Sequence, residues 1–138
     1  MKVKICGLTT AEQVQTSIKY GADFCGFILN YPKSHRFIEF EKAKELTKIE
    51  KKNTKYVAVL VNPNEDELEK FSKLNIDYFQ IYGNCNSNLI SNIKSKFNKK
   101  IIATIQVKNK MYQGSSDVWK KYEAFLKPLL EGLNYYKN

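Results

Sequence analysis

The chain has 138 residues, of which 43% are hydrophobic, and its formal net charge is +9. This length and composition predict one soluble globular domain with its own core and exclude a disordered chain. The positive charge comes almost entirely from lysine, since Arg36 is the only arginine. Bidentate contacts to bases and phosphates favour arginine, so the charge indicates a solvated lysine-rich surface and argues against a nucleic-acid-binding protein.

Three cysteines, Cys6, Cys25 and Cys85, form neither a C-x-x-C pair nor an even set. This pattern favours a reducing compartment over a disulfide framework or a zinc site. Charges at Lys2 and Lys4 interrupt the first apolar run, so no signal peptide is predicted. No window reaches the roughly 18 apolar residues of a membrane span. We therefore expect a cytoplasmic protein that binds no membrane.

Apolar runs alternate with amphipathic stretches along the chain. The apolar runs predict buried strands at residues 3–8, 24–29, 56–61, 76–82 and 100–107. The amphipathic stretches predict helices at residues 41–49, 65–74 and 87–97, and a first helix that Thr9 or Thr10 caps and Gly21 ends. A helical or half-helical pattern follows at residues 117–126. This β-α alternation predicts an α/β protein with a parallel sheet.

Two architectures agree with this alternation. A (β/α)8 barrel normally needs roughly 200 residues or more, whereas an open, flavodoxin-like sheet with helices on both faces suits a shorter chain. Periodicity alone favours the open sheet. In either case the functional side chains belong at the carboxyl ends of the strands.

The reactive side chains at those ends include a cysteine and the sole arginine. Cys6 could act as a thiol base or nucleophile, or it could be a small buried apolar residue, as most free cysteines are. The Arg36 guanidinium could bind a carboxylate or a phosphate through two parallel hydrogen bonds. Arg36 could equally be an incidental charge on the surface. Cys25 and Cys85 are interpreted as structural. The chain contains no glycine-rich phosphate loop, so no nucleotide cofactor is predicted.

Five blocks of sequence together resemble the phosphoribosylanthranilate isomerase family. They are K-I-C-G-L-T-T at residues 4–10, G-A-D-F-C-G-F-I-L at 21–29, K-S-H-R-F-I at 33–38, V-A-V-L-V-N at 57–62 and D-Y-F-Q-I-Y-G at 77–83. They occur in the family's order and spacing and cover roughly residues 2–107. The first block is specific for the family by itself.

The resemblance implies an incomplete parallel (β/α) barrel with about five to six of its eight βα units. It implies the Amadori rearrangement of N-(5-phosphoribosyl)anthranilate to 1-(2-carboxyphenylamino)-1-deoxyribulose 5-phosphate in tryptophan biosynthesis, with neither a metal nor an organic cofactor. Cys6 would be the general base that takes the C2 proton, and Arg36 would face the anthranilate end of the substrate. Gln80 and Lys4 would also bind the phosphorylated substrate.

The sequence departs from the family pattern at several positions. His35 stands where the family has proline, Tyr82 where it has histidine, and Ala103 where the fifth strand carries lysine. The family's general acid is an aspartate that ends strand six, but the last aspartate here is Asp117, which lies too early to match it. The phosphate-binding loops of strands seven and eight have no counterpart.

From these departures we expect a single domain with family-like units at residues 1–107 and a divergent tail at residues 108–138. A chain without the acid and the phosphate loops should have little or no isomerase activity by itself. The alternative function is a non-catalytic or partner-dependent barrel fragment. Its two sheet edges would pair with a second copy of the chain or with a complementing chain.

Overall fold

The computed structural model describes residues 1–104. Within them five strands alternate with four helices, in the order β1 Lys4–Cys6, α1 Ala11–Lys19, β2 Phe24–Ile28, α2 Phe40–Leu46, β3 Lys55–Val61, α3 Glu65–Ser72, β4 Tyr78–Tyr82, α4 Ser87–Phe97 and β5 Lys100–Ala103. The predicted β-α alternation is therefore confirmed over this range. The helical pattern at residues 117–126 and the divergent tail lie outside the described residues.

The five strands form one parallel sheet in which each strand pairs with the strand that precedes it in the chain, in the order β1-β2-β3-β4-β5. A flavodoxin-like sheet has the strand order 2-1-3-4-5, because the direction in which successive strands are added to the sheet reverses at a switch point. The alternative of an open flavodoxin-like sheet is therefore wrong for the described residues. A strictly sequential parallel order is that of a barrel, here with five consecutive strands.

The hydrophobic core lies on one face of this sheet. Alternate strand residues such as Phe27, Leu60 and Ile81 are fully buried in one cluster with residues from all four helices, among them Val14, Ala43, Leu46, Leu68, Phe71 and Ile93. All four helices therefore cover the same face, as in a barrel. The other face, here called the inner face, carries the intervening residues, which include Lys4, Cys6, Gln80 and Tyr82.

Two helices begin with reciprocal capping boxes that are visible in the sequence. The Thr10 hydroxyl accepts a hydrogen bond from the backbone N–H of Gln13, whose side chain returns to the Thr10 backbone. Asn64 and Glu67 make the same exchange at the start of α3. These reciprocal bonds satisfy amide groups that a helix leaves unpaired in its first turn. The predicted cap of α1 is thus confirmed at Thr10.

Aspartates tie adjacent strands together at the amino-terminal edge of the sheet. The Asp23 carboxylate accepts a hydrogen bond from the backbone N–H of Val3, at 2.7 Å. The Asp77 carboxylate accepts one from the backbone N–H of Tyr56, at 2.8 Å, and pairs with the Lys51 ammonium at 2.9 Å. In both cases an aspartate just before one strand holds the start of the preceding strand.

The expectation that the first strand is buried is wrong. Ile5 is 41% exposed and Val3 is 43% exposed, because among the strands of residues 1–104 β1 lies at an edge of the sheet, beside β2 alone. The strand is also shorter than predicted. It ends at Cys6 since Gly7 adopts a φ of +78°, which is outside the extended region.

Candidate functional site

Lys4 and Cys6 lie side by side on the inner face, above a glycine of the next strand. The space that a Cβ on Gly26 would occupy is 3.1 Å from the Cys6 sulfur and 3.2 Å from the Lys4 ammonium nitrogen. A side chain at position 26 would therefore displace both groups, so this glycine makes room for them. The pairing of Cys6 with Gly26 in the β1–β2 register fixes this arrangement. The structure thus brings the two predicted site residues of β1 together.

Arg36 reaches the same end of β1 from the loop after β2. The loop is anchored to the sheet by a parallel bridge between Ile28 and Phe37. The Arg36 side chain packs on Gly7, where an added Cβ would be 2.7 Å from its Cδ. Its guanidinium donates a hydrogen bond to the Cys6 carbonyl at 3.1 Å. The Arg36 guanidinium is therefore held at the strand end that carries the thiol, and Arg36 as a whole is an exposed residue.

Gln80 lies on the same face but further across the sheet, in β4. Across the sheet Gln80 is in register with Val59 and Ile28, whereas Cys6 is in register with Gly26 and Val57. Its amide is buried, with 7% of the residue exposed. The amide nitrogen donates to the Tyr82 hydroxyl at 3.1 Å. No hydrogen bond joins Gln80 to Cys6, Lys4 or Arg36 within residues 1–104.

Asparagine side chains connect the loops at the carboxyl ends of β2, β3 and β4. The Asn30 amide exchanges two hydrogen bonds with the backbone of Val61, and it also donates to the Glu67 carboxylate at 3.3 Å. The Asn62 side-chain oxygen accepts from the backbone N–H of Asn84 at 2.9 Å. These contacts hold the loops around the site. Asn64 followed three residues later by Glu67 is a capping-box pattern that could have indicated the role of Glu67. No sequence pattern indicates its contact with Asn30.

An open cavity of about 720 Å³ lies beside α1, at the β1 edge of the sheet that residues 1–104 form. Its lining includes Cys6, Gly7 and Arg36 together with Ile5 and residues of α1. A second cavity of about 350 Å³ continues along the same edge and is mainly apolar, with Val3, Ile5 and Tyr20 in its wall. The thiol end of β1 is therefore accessible from the side on which no strand is described.

The other two cysteines match their structural interpretation in position. Cys25 is fully buried in the core beneath the helices. Burial raises the pKa of its thiol, although a hydrogen bond with Ser17 opposes this. Cys85 is partly buried in the loop before α4 and packs against the same core. Neither thiol lies on the inner face with Cys6.

Residues 1–104 contain no group of three metal-ligating side chains close enough to hold an ion. No helix in this range has the length and apolarity needed to cross a bilayer. The predicted fifth strand spans residues 100–107, and its last residues, Gln106 among them, lie outside the described residues.

The family model described as N-(5'-phosphoribosyl)anthranilate (PRA) isomerase matches residues 3–132 of this chain. The chain belongs to the phosphoribosylanthranilate isomerase family. The resemblance of the five sequence blocks is thereby confirmed. The match also continues beyond residue 107 into the segment that we expect to diverge, so the position of that boundary stays a prediction.

Individual family members agree with this assignment. The N-(5'-phosphoribosyl)anthranilate isomerase of Sulfurihydrogenibium sp. (strain YO3AOP1) is 39% identical over 110 residues, which are 79% of this chain and 51% of the relative. A crystal structure of phosphoribosylanthranilate isomerase with reduced 1-(o-carboxyphenylamino)-1-deoxyribulose 5-phosphate aligns with a TM-score of 0.71 at 29% identity, covering 88% of this chain and 61% of that one. A Thermotoga maritima structure, described as mutually generated monomers of a dimeric isomerase, aligns at 0.70 and 31% identity, covering 79% and 54%.

The chain spans about half the length of the curated relatives that it matches. The shared half carries the first five strands in the order of the family barrel. It includes Cys6 and Arg36, and it fixes the fold class as an incomplete parallel (β/α) barrel.

Proposed function

We propose that this chain carries one half of a phosphoribosylanthranilate isomerase site, with Cys6 as the general base. The observation that supports this best is the Cys6 thiol on the inner face beside Lys4, with Arg36 bound to the carbonyl of the same cysteine. An acid–base rearrangement needs a proton acceptor at a strand end, within reach of the sugar carbon that loses its proton. Cys6 ends β1 on the inner face, which supports this role.

The proposed reaction assigns a task to each predicted residue. After the furanose ring opens, the Cys6 sulfur removes the C2 proton, and the electron pair of that C–H bond forms the enolamine that becomes the ketose. The Arg36 guanidinium binds the carboxylate of the anthranilate group, for which its planar fork is suited. The positive charge of the Lys4 ammonium stabilises negative charge that lies beside the Cys6 thiol. Gln80 binds a neutral hydrogen-bonding group of the same sugar phosphate.

Ring opening also needs an acid that protonates the furanose oxygen, and no aspartate in these 138 residues matches the general acid that the resemblance implies. Removing a general acid typically lowers a rate by about 10²–10⁴-fold. We therefore expect the 138-residue chain to bind substrate-like ligands weakly and to turn over N-(5-phosphoribosyl)anthranilate very slowly.

Calorimetric titration with reduced 1-(o-carboxyphenylamino)-1-deoxyribulose 5-phosphate tests the binding half of the proposal. We expect measurable binding that Arg36→Ala weakens by roughly tenfold, because a charge-assisted hydrogen bond is lost. Lys48→Ala, at an exposed position after α2, serves as the control and should bind like the unmodified chain. Absence of binding in the unmodified chain would contradict the proposed ligand class. Robust turnover that disappears in Cys6→Ala would overturn the expected inactivity while supporting the base.

A partner-dependent fragment is the second candidate function, and the position of β1 at an edge of the described sheet favours it. Val3 and Ile5 are more than 40% exposed there, and two cavities extend along that edge. An edge strand offers unpaired backbone groups to another chain. Since a solved relative is described as dimeric, we propose that a second copy of this chain covers the β1 edge.

Light scattering coupled to size-exclusion chromatography tests this association. We expect a dimer that Ile5→Asp converts to a monomer, because a carboxylate would be buried against the partner's apolar surface. Gln15→Asp adds the same charge at an exposed position of α1 and should leave the dimer intact. A monomer at all concentrations of the unmodified chain would contradict the second-copy proposal.

A further inference from the structure

The Gln80 side chain has an unpaired polar atom although it is almost completely buried. Its amide nitrogen donates to the Tyr82 hydroxyl at 3.1 Å, while its amide oxygen has no hydrogen-bond partner in the described part of the chain. Exchanging the two amide atoms would leave the nitrogen unpaired instead, so either assignment gives one unsatisfied group. Buried polar groups nearly always have partners, and exceptions call for an explanation.

Tyr82 is well placed to control this amide. The two residues are two positions apart in β4 and therefore share the inner face. Tyr82 is 37% exposed at the strand end, whereas Gln80 is 7% exposed one step deeper. The Tyr82 hydroxyl thus connects the buried Gln80 amide to the solvent-accessible end of β4. By holding one end of the amide, it fixes the direction of the other end.

We propose that Tyr82 is a positioning residue that orients the Gln80 amide toward a hydrogen-bonding group of the ligand. The proposal rests on the proposed function, which supplies a sugar phosphate as the ligand class. A free amide oxygen accepts a hydrogen bond, so its partner on the ligand is a donor such as a sugar hydroxyl or a secondary amine. An ionised oxyanion only accepts, so a carboxylate or phosphate oxygen could pair with the free end only if the amide atoms were exchanged. A sugar hydroxyl both donates and accepts, so it satisfies the free end of the amide in either assignment. Gln80 and Tyr82 therefore recognise the neutral sugar part of the ligand rather than its charged ends.

A double-mutant cycle tests whether Tyr82 acts through Gln80. The probe is reduced 1-(o-carboxyphenylamino)-1-deoxyribulose 5-phosphate, titrated by calorimetry against the full chain. We expect Tyr82→Phe to weaken binding by roughly five- to tenfold, the effect of about one lost hydrogen bond. In a Gln80→Leu background the same change should have no effect, because the amide to be oriented is gone. An equal loss in both backgrounds, or no loss in either, would overturn the proposal.

Two measurements separate this proposal from the proposed function. The ¹⁵N side-chain amide resonances of Gln80, recorded without ligand, should shift or broaden in Tyr82→Phe and return toward their original positions in Tyr82→His, which restores a polar partner. Gln80→Leu should raise the midpoint of thermal unfolding, since it removes an unsatisfied buried group. If the unmodified chain does not bind the probe, the proposed function fails. Unchanged amide resonances in Tyr82→Phe would refute the positioning role whatever the outcome of the titration.

Discussion

Replacement of Asp77 with alanine is expected to lower the free energy of unfolding by about 2–4 kcal/mol. The carboxylate accepts hydrogen bonds from the Tyr56 backbone N–H and from the Lys51 ammonium, and both side chains of the ion pair are less than 25% exposed. Its removal leaves a strand amide and a partly buried cation without their partner. Burial lowers the pKa of Lys99, and the negative charge of Asp77 opposes this effect. The substitution therefore also removes a charge that stabilises the Lys99 ammonium.

Urea unfolding followed by circular dichroism measures this loss. Asp77→Asn keeps an acceptor oxygen without the charge and should fall between the unmodified chain and Asp77→Ala. Glu45→Ala is the matched control, because its ion pair with Lys42 is at the surface and such pairs contribute only about 0–1 kcal/mol. If Asp77→Ala costs no more than Glu45→Ala, the aspartate does not hold β3 to β4.

Gly83→Ala is the second large effect, with an expected loss of about 2–3 kcal/mol. Gly83 follows β4 with a φ of +95°, a conformation that strains any residue with a Cβ. An added Cβ would also lie 1.9 Å from the Asn62 side-chain oxygen. That oxygen accepts a hydrogen bond from the Asn84 backbone, so Asn62 can move aside only by giving up the bond between the loops after β3 and β4.

Gly21→Ala is the control for the destabilisation that a positive φ alone causes in a residue with a Cβ. Gly21 has a φ of +80°, but nothing lies within 4 Å of its added Cβ. We expect this variant to lose about 1–2 kcal/mol, and the excess loss of Gly83→Ala to disappear in an Asn62→Ala background. Equal losses for the two glycine variants in urea unfolding would show that the contact with Asn62 has no energetic weight.

The sequence predicted the types of the elements well and their ends less well. The helix at Ser87–Phe97 has the predicted bounds, since Asn86 caps its start and Asn98 ends it with a φ of 49°. The second helix was expected to reach residue 49 but ends at Leu46. Its last predicted residues form single turns, in which Lys48 and Ile49 bond to carbonyls three positions back. Such turns keep the helical spacing of apolar residues and cannot be distinguished from a helix by periodicity.

Sequence patterns could not predict the order of the strands in the sheet or the contacts between the site residues. Apolar strands look alike whether helices cover one face of a sheet or both, and for that reason periodicity favoured the wrong architecture. The family motifs identified Cys6 and Arg36, but the hydrogen bond between them joins residues 30 positions apart and depends on how the loop crosses Gly7. By contrast, the pairing of Gln80 with Tyr82 follows from strand alternation, because residues two apart share a face.

The sequential strand order has a consequence for how the chain folds. Within residues 1–104, each strand from β2 to β5 pairs with the strand before it, so none of these pairings must wait for a distant part of the chain. Pairings between near neighbours have a lower entropic cost of loop closure than pairings between distant strands. During synthesis each βα unit can therefore add to the units already formed as it leaves the ribosome. We expect the sheet to grow in one direction from β1, with a new free edge exposed at every stage.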